Sequence, residues 1–438
     1  MINKKTQNFS LNEIFLILSY LICWFSISTS FYDVFNIVEK KNINLIEIIN
    51  FLRQFLNLII FPILIILFFK KFKSIEFRNE LLFIFTFFYL LFQIPGLLFT
   101  DNSLTNLVYI ISSLNILFIF ILANICFDKK KYLNFFYITL FILLLITILN
   151  YKTYVNFILL ESTSVLYTFF FSPETFLEKD SPRSTGSSRS LLLIMIISFL
   201  IFDKFFKNNN NSKLMIYILI STLVLLFQSR TSITLLIIFV FCNFIYENDY
   251  SLKEVVKYIL VYFILPLLTI YTILVSKQVV HDTQFYKYGE LSPIELSDDL
   301  KRPIDPTTFS SGRFNDWRNI LSKTNESTVY GYGSQGDRFL INQTASNGLL
   351  YAFSSSGILG TLPFILFSIL SLWITLKIFF QSLRLKISIN YYSSMTVILL
   401  LLRSLLESSY AVFSVDFIIL YTFINYLNKF SYKNDDGN

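Results

Sequence analysis

The chain has 438 residues, of which 54% are hydrophobic, 18% aromatic and only 15% charged. This composition excludes a soluble globular domain, which would need far more polar surface to cover a core of that length. The formal net charge of +7 does not indicate nucleic-acid binding, because the basic residues mark the ends of apolar runs and do not line one soluble face. We therefore predict an all-α, polytopic membrane protein that forms one integral domain over residues 1–438.

Apolar runs long enough to cross a bilayer as helices recur from one end of the chain to the other. In chain order they predict twelve membrane helices, at residues 13–29, 51–69, 81–99, 104–127, 132–150, 188–206, 213–228, 231–246, 254–275, 357–379, 388–407 and 411–428. No small-residue cleavage site follows the first run, so we expect a retained helix and not a signal peptide. A further apolar stretch at 151–171 contains Glu161 and several Ser and Thr residues, and we expect an interfacial or re-entrant element there.

Lysine and arginine residues decide the orientation of these helices, because they are enriched on the cytoplasmic side of membrane proteins. With both termini in the cytoplasm, nineteen of them fall at cytoplasmic helix ends and connections, whereas the short outer connections carry only Lys40, Lys41 and Arg230. We therefore predict that both termini are cytoplasmic. Two long segments, about 151–187 and 276–356, then face outward, where long loops are exempt from the charge count.

The cysteine and histidine residues do not indicate a metal or redox site. Cys23, Cys126 and Cys242 all lie inside apolar runs, with spacing that fits neither a disulfide framework nor a zinc site. His281 has no cysteine, histidine or carboxylate cluster at ligand spacing. We expect no metal site and no cofactor.

Arginines gather at the predicted outer surface, against the usual distribution of positive charge. They lie at outer helix ends, in a tight turn and in the second long segment: Arg183, Arg189, Arg230, Arg313, Arg318 and Arg403. A planar guanidinium group matches phosphate oxygens and keeps its charge, so we predict that these residues bind a diphosphate. Taken singly, an outer arginine could instead reach lipid headgroups, and Arg403 could simply pair with Glu407 on its own helix.

An ordered series of short motifs runs through the second half of the chain. It comprises "RSTG" at 183–186, "SRT" at 229–231, "SGRFNDW" at 311–317, "GYG" at 331–333 and "SNGLLYAFSSSGILG" at 346–360. Together with the twelve-helix layout, this series resembles the O-antigen ligase and O-antigen polymerase family of bacterial inner-membrane glycan transferases. The resemblance covers most of the chain from about residue 183 onward.

The resemblance implies a glycan donor carried on a polyprenyl (undecaprenyl) diphosphate at the periplasmic face of the inner membrane. The glycan is transferred to an acceptor hydroxyl by a metal-independent glycosyltransferase. Arg230 and Arg313 match the family's two functional arginines, and Ser346–Asn347 stands in the place of its His–Asn pair. Because that histidine is most typical of ligases, its replacement by Ser346 favours a polymerase. The implied partners are the lipid-linked oligosaccharide, the bilayer, and flippase and chain-length regulator proteins.

The residues themselves suggest how such a transfer proceeds. In a partly dehydrated site, Arg230 and Arg313 can stabilise the negative charge that develops on a leaving diphosphate. Without the histidine, Asp316 and Glu161 are candidates to deprotonate the acceptor hydroxyl. Asp316 can equally serve to position Arg313 or Arg318.

Aromatic residues and glycines in the second long segment indicate contacts with the glycan. Trp317, Tyr330 and Tyr332 are expected either to stack on sugar rings or to pack a small core of the loop. The segment 347–356 is expected to lie along the membrane interface before Gly357 begins the tenth helix. There it would form a gate or floor of the cavity that binds the substrate.

Two alternative functions remain open at this point. A ligase that moves finished glycan to a lipid A core or to a protein uses the same donor and the same chemistry. A polysaccharide or solute transporter belongs to another class, and it should show ionisable residues at mid-membrane and broken helices. The polar candidates here lie at the predicted outer surface, and Arg53 in the second predicted helix is the exception.

Overall fold

Helices make up most of the chain that the structure describes. The computed structural model describes residues 9–27, 43–74, 80–99, 103–149, 185–205, 210–226, 229–247, 260, 264–270, 272, 313–341 and 344–430. The helices in these ranges are α1 (Leu11–Phe25), α2 (Ile43–Lys71), α3 (Leu81–Leu91), α4 (Ser103–Cys126), α5 (Lys129–Leu149), α6 (Thr185–Phe205), α7 (Asn210–Leu226), α8 (Arg230–Glu247), α9 (Arg313–Lys323), α10 (Gly336–Ile341), α11 (Gly348–Leu385), α12 (Ser388–Arg403) and α13 (Val415–Phe430). Residues 265–270 are also helical, and these ranges contain no β-strand, which confirms the predicted all-α class for them.

Six helices in the described ranges have the length and composition needed to cross a membrane. They cover Phe55–Ser74, Leu81–Phe99, Asn106–Cys126, Lys129–Ile148, Gly186–Asp203 and Gly348–Leu385. Large apolar side chains lie on the outside of such helices, for example Trp373 at 70% and Phe69 at 67% exposure, as expected for residues that face lipid. The total of twelve crossings stays a prediction, and the ninth predicted helix, 254–275, lies mostly outside the described residues.

The chain divides into two compact units. Unit 1 consists of Met1–Ile142 and Arg313–Asn438, and unit 2 consists of Leu143–Gly312. Helices α1 to α4, most of α5, and α9 to α13 therefore belong to unit 1, whereas α6, α7 and α8 belong to unit 2. The second boundary falls inside the "SGRFNDW" motif, so Arg313 is the first residue of the returning part of unit 1.

Helix α13 belongs to the core of unit 1. Its residues from 415 to 427 are all buried. The hydroxyl group of Tyr20 on α1 forms hydrogen bonds with Thr139 on α5 at 2.7 Å and with Thr422 on α13 at 2.9 Å. Because buried polar groups need hydrogen-bond partners, these contacts fix three helices relative to one another.

The described part of the second long segment is largely helical. Helices α9 and α10 occupy much of 313–341, and α11 begins at Gly348 instead of near residue 357. Gly357 still marks a boundary, because its backbone, with φ +59° and ψ −162°, interrupts α11. The predicted start of the tenth helix is therefore a break inside a longer helix.

Candidate functional site

Arg313 lies at the start of α9 and contacts a carboxylate from a distant part of the chain. Its Nη2 atom is 3.4 Å from Oε1 of Glu407, which lies just beyond the end of α12. The two side chains are 27% and 19% exposed, so the pair lies at the surface of unit 1 but is not fully solvated. The Arg313 side chain is thus partly accessible, as a residue that binds an anion requires.

Trp317 and Asp337 hold the backbone of Ala345 on both sides. The Trp317 indole Nε1–H donates to the carbonyl oxygen of Ala345 at 3.1 Å, and the Ala345 N–H donates to Oδ2 of Asp337 at 2.7 Å. Ala345 is fully buried. These contacts attach α9 and α10 to the residue that precedes Ser346, so Trp317 has a structural role in addition to any contact with a sugar.

The Ser346–Asn347 pair forms the turn that starts α11. Ser346 has φ +50°, in the left-handed region. Asn347 caps the helix, because its Oδ1 accepts hydrogen bonds from the N–H groups of Leu349 and Leu350 at 2.9 and 3.2 Å. Its Nδ2 donates to the carbonyl oxygen of Leu405 at 2.9 Å. The turn is therefore fixed to the chain that leads to Glu407.

The break in α11 at Gly357 leaves two carbonyl groups that accept hydrogen bonds from the "GYG" motif. In an unbroken helix, the carbonyl oxygens of Ser354 and Ser355 would accept from N–H groups four residues later. Here they accept from the N–H groups of Tyr332 and Gly333, at 2.8 and 2.9 Å. The motif thus supplies the donors that the break removes.

The same break also leaves two helix N–H groups without their usual acceptors. Carbonyl oxygens of the chain just before the "GYG" motif accept hydrogen bonds from them. The N–H of Ile358 donates to the carbonyl oxygen of Thr328 at 2.9 Å, and that of Leu359 donates to Val329 at 3.4 Å. Two hydrogen bonds of the helix are therefore exchanged for four with the segment 328–333. This exchange satisfies the polar backbone at a position where an apolar surrounding would make free groups costly.

The Asp337 carboxylate is buried, and burial raises the pKa of this group to about 6, although the N–H donors of Ala345 and Arg338 and the charge of Arg338 lower it. A raised pKa means that the folded protein binds this proton more tightly than the unfolded chain. The stability linked to Asp337 is therefore present below its ordinary pKa of 3.8 and is lost as the pH rises through about 6.

Asp337→Asn is expected to remove this dependence of stability on pH. Between pH 7.5 and pH 5 the wild-type protein should gain about 1–1.5 kcal/mol of stability that the variant does not gain. Thermal unfolding of both purified proteins in the same detergent at the two pH values measures the difference. Equal pH shifts for the two proteins would contradict a titrating Asp337.

Arg403 forms a buried ion pair with Asp416, not with Glu407. Nη1 of Arg403 is 2.5 Å from Oδ2 of Asp416, and the Ser409 hydroxyl donates to the same oxygen at 2.8 Å. Arg403 is 5% exposed and Asp416 is fully buried. A pair of this kind joins the end of α12 to the start of α13, and removal of one partner would leave an uncompensated charge. In this structure, Arg403 is therefore engaged inside unit 1.

Two of the predicted site residues of unit 2, Arg189 and Arg230, lie near the beginnings of helices. Arg189 is half-buried in the second turn of α6. Arg230 is the first residue of α8, preceded by the buried Ser229, and its own side chain lies outside the described part of the structure. Arg183 and Glu161 also lie outside the described residues. That these arginines bind the same diphosphate as Arg313 stays a prediction.

The other predicted site residues in unit 1 have different surroundings. Arg318 is exposed on α9, and Asp316 is partly buried in the first turn of the same helix. Tyr330 is 45% exposed and remains available for stacking, whereas Tyr332 is only 5% exposed and packs on Phe339 with ring centroids 5.6 Å apart. Tyr332 therefore packs in a local core of the segment, which was one of the two roles expected for these rings.

Sequence reasoning missed two of the three acidic residues that define this region, Asp337 and Asp416, and gave the third, Glu407, a different partner. Asp337 and Asp416 are both buried. Both oxygens of Asp337 accept backbone hydrogen bonds, Oδ2 of Asp416 accepts from Arg403 and Ser409, and Glu407 contacts Arg313. Asp416 had a detectable signal, since it is a single acid in the apolar run "SVDFIIL". The contact between Glu407 and Arg313 had none, because 94 residues separate the two.

Neither a metal-ligand cluster in the described ranges nor a comparison with known proteins identifies the function. Within the described ranges, no group of three or more His, Cys, Asp or Glu residues is arranged to hold a metal ion. No protein-family model matches the chain, and no curated protein matches its sequence. The case for a function therefore depends on the motif residues and their geometry.

Proposed function

We propose that this protein polymerises oligosaccharide units from a polyprenyl diphosphate carrier at the periplasmic face of the bacterial inner membrane. The observation that supports the proposal is that the motifs of unit 1 are joined by direct contacts. Trp317 binds the residue before Ser346, the "GYG" motif binds the break after Ser354 and Ser355, and Arg313 lies against Glu407. Segments that carry the resemblance thus assemble around an accessible arginine.

In the proposed reaction, the acceptor hydroxyl attacks the anomeric carbon of the donor and the diphosphate leaves. Negative charge grows on the diphosphate as the bond breaks, and the guanidinium groups of Arg313 and Arg230 stabilise it. Arg189, Arg183 and Arg318 are proposed to hold the donor before reaction. The buried pair of Arg403 and Asp416 gives Arg403 a supporting role in this scheme, because it fixes the end of α12 next to Glu407.

The assay for this function follows polymer formation. Cells that lack the native gene and express the wild-type protein should produce a ladder of surface polysaccharide on gels, whereas cells with an empty vector should not. Transfer of finished glycan to a lipid A core or to a protein, without formation of polymer, would instead favour the ligase reading. Absence of any glycan product from the complemented cells would refute both.

One observation keeps the transporter reading as a second candidate. The helix α11 is broken at Gly357, and broken helices form the substrate sites of many transporters. In this chain, however, the backbone groups on both sides of the break bind the segment 328–333. They are therefore not free to coordinate a solute. Uptake or export of lipid-linked glycan in vesicles, without polymer formation, would favour the transporter.

The proposed location requires twelve crossings, cytoplasmic termini and an outer position for residues 276–356. The distribution of lysine and arginine is the reason for this arrangement. Reporter fusions after Ser251 and after Leu296 are expected to report cytoplasmic and periplasmic positions, respectively. A cytoplasmic signal from the second fusion would contradict the topology and the proposed function together, because the donor diphosphate would then lie on the wrong side.

A further inference from the structure

Four carboxylates lie in or next to the contacts that assemble the site, and they differ in how far they are already engaged. Both oxygens of Asp337 accept backbone hydrogen bonds, and the residue is 1% exposed. Asp416 is fully buried against Arg403 and Ser409. Asp316 is partly buried on α9. Glu407 is accessible and also contacts a predicted catalytic arginine.

Within the part of the chain that the structure describes, one carboxylate oxygen of Glu407 accepts no hydrogen bond. Oε1 is 3.4 Å from Nη2 of Arg313, and no residue in the described ranges donates a hydrogen bond to Oε2. The backbone is fixed, because the Glu407 N–H donates to the carbonyl oxygen of Arg403 at 3.0 Å. Two residues earlier, the carbonyl oxygen of Leu405 holds the side chain of Asn347. Glu407 thus lies close to both the start of α9, at Arg313, and the Ser346–Asn347 turn.

We infer that Glu407 is the general base of the proposed transfer. The inference rests on the proposed function. As the acceptor oxygen forms its bond to the anomeric carbon, the proton of the acceptor hydroxyl passes to Oε2 of Glu407. The bond between the anomeric carbon and the diphosphate oxygen breaks, and its electron pair leaves with the diphosphate, which Arg313 holds. Glu407 then releases the proton to water.

This arrangement accounts for a base in a chain with Ser346 in place of a histidine. Positioned carboxylates perform the same proton transfer as histidine in many enzymes. The contact with Arg313 orients Glu407 through Oε1 and leaves Oε2 to accept the proton. It also links the two ends of the reaction, since the residue that stabilises the leaving group lies beside the residue that activates the attacking group.

The test separates turnover from donor binding in the full-length protein. Glu407→Gln keeps the size of the side chain and its amide oxygen can still accept from Arg313, but it cannot take up a proton. Turnover of lipid-linked oligosaccharide, extracted from cells that lack this protein, is expected to fall about 100-fold or more. Binding of polyprenyl diphosphate alone should be unchanged or tighter, because Arg313 no longer shares its charge with a carboxylate. Glu407→Asp should retain more turnover than Glu407→Gln.

Other outcomes would overturn the inference in distinguishable ways. Weakened binding of polyprenyl diphosphate by Glu407→Gln, equal to its loss of turnover, would show that Glu407 only positions Arg313. Near-normal turnover by Glu407→Gln, with a large loss in Asp316→Asn, would move the base to Asp316. If the wild-type protein neither binds polyprenyl diphosphate nor makes polymer, the proposed function itself fails. Asp128→Asn, an exposed carboxylate at the start of α5, is the matched control and should turn over normally.

Discussion

Replacing Arg313 with lysine is expected to reduce glycan transfer by about two to three decades while the protein still inserts normally. Lysine keeps the positive charge but loses the planar fork of donors that matches a diphosphate. Loss of one donor set that acts on developing charge costs about 2.7–4 kcal/mol of transition-state stabilisation. The partial exposure of Arg313 beside Glu407 supports a role in binding and not only in packing. Polymer length and amount on gels measure the effect.

Arg230→Lys is expected to show a loss of the same size, and Arg338→Lys is the control. Arg338 is exposed on α10, and we give it no catalytic role. Near-normal polymer from both Arg230→Lys and Arg313→Lys would contradict the assignment. An equal loss from Arg338→Lys would point instead to a general electrostatic effect of this segment.

Replacing Gly357 with alanine is expected to remove most of the folded protein. A Cβ atom at this position would lie 2.2 Å from the carbonyl oxygen of Val329 and 2.6 Å from the backbone nitrogen of Tyr330. The backbone also has φ +59°, which L side chains rarely adopt. The clash is with backbone atoms, so rotation of a side chain cannot relieve it. We therefore expect a loss of about 3–5 kcal/mol of stability.

Gly186→Ala is the matched control for this substitution. Gly186 lies in the first turn of α6, and beyond its own helix backbone and chain neighbours no atom of the described residues lies within 4 Å of a Cβ built there. The stability of Gly186→Ala should stay within about 1 kcal/mol of the wild type. Yields of monodisperse protein and unfolding temperatures in detergent compare the two variants. A Gly357→Ala protein as stable as Gly186→Ala would mean that α11 can straighten without loss.

Much of the helical framework could be predicted from the sequence, because long apolar runs with basic ends leave few other structures. Residues 104–127 and 132–150 were predicted as helices, and the structure has Ser103–Cys126 and Lys129–Leu149. The prediction was less accurate at α2 and α11, which are longer than the apolar runs that identify them. A helix can continue past the bilayer surface, so hydropathy predicts the length of the membrane-crossing part but not the ends of the helix.

The contacts of the site were harder to predict, because they depend on tertiary packing. The sequence singled out Arg313 and Arg403 and suggested Glu407 as a partner for Arg403, since the two are four residues apart. In the structure Glu407 contacts Arg313, and Arg403 binds Asp416 across the turn between α12 and α13. Helical spacing suggests which groups can meet on one helix, but it does not show which neighbour lies closer in the folded chain.

The break in α11 and the position of the segment 328–333 depend on the same four backbone hydrogen bonds. If the segment moved away, the N–H groups of Ile358 and Leu359 could return to the carbonyl oxygens of Ser354 and Ser355, and the helix could close through Gly357. A ligand that binds only when the segment is docked would therefore stabilise the broken form of α11. By thermodynamic linkage, the break would increase the affinity for that ligand by the same free energy. A ligand bound against this segment would thus be linked, through four backbone hydrogen bonds, to the geometry of helix α11.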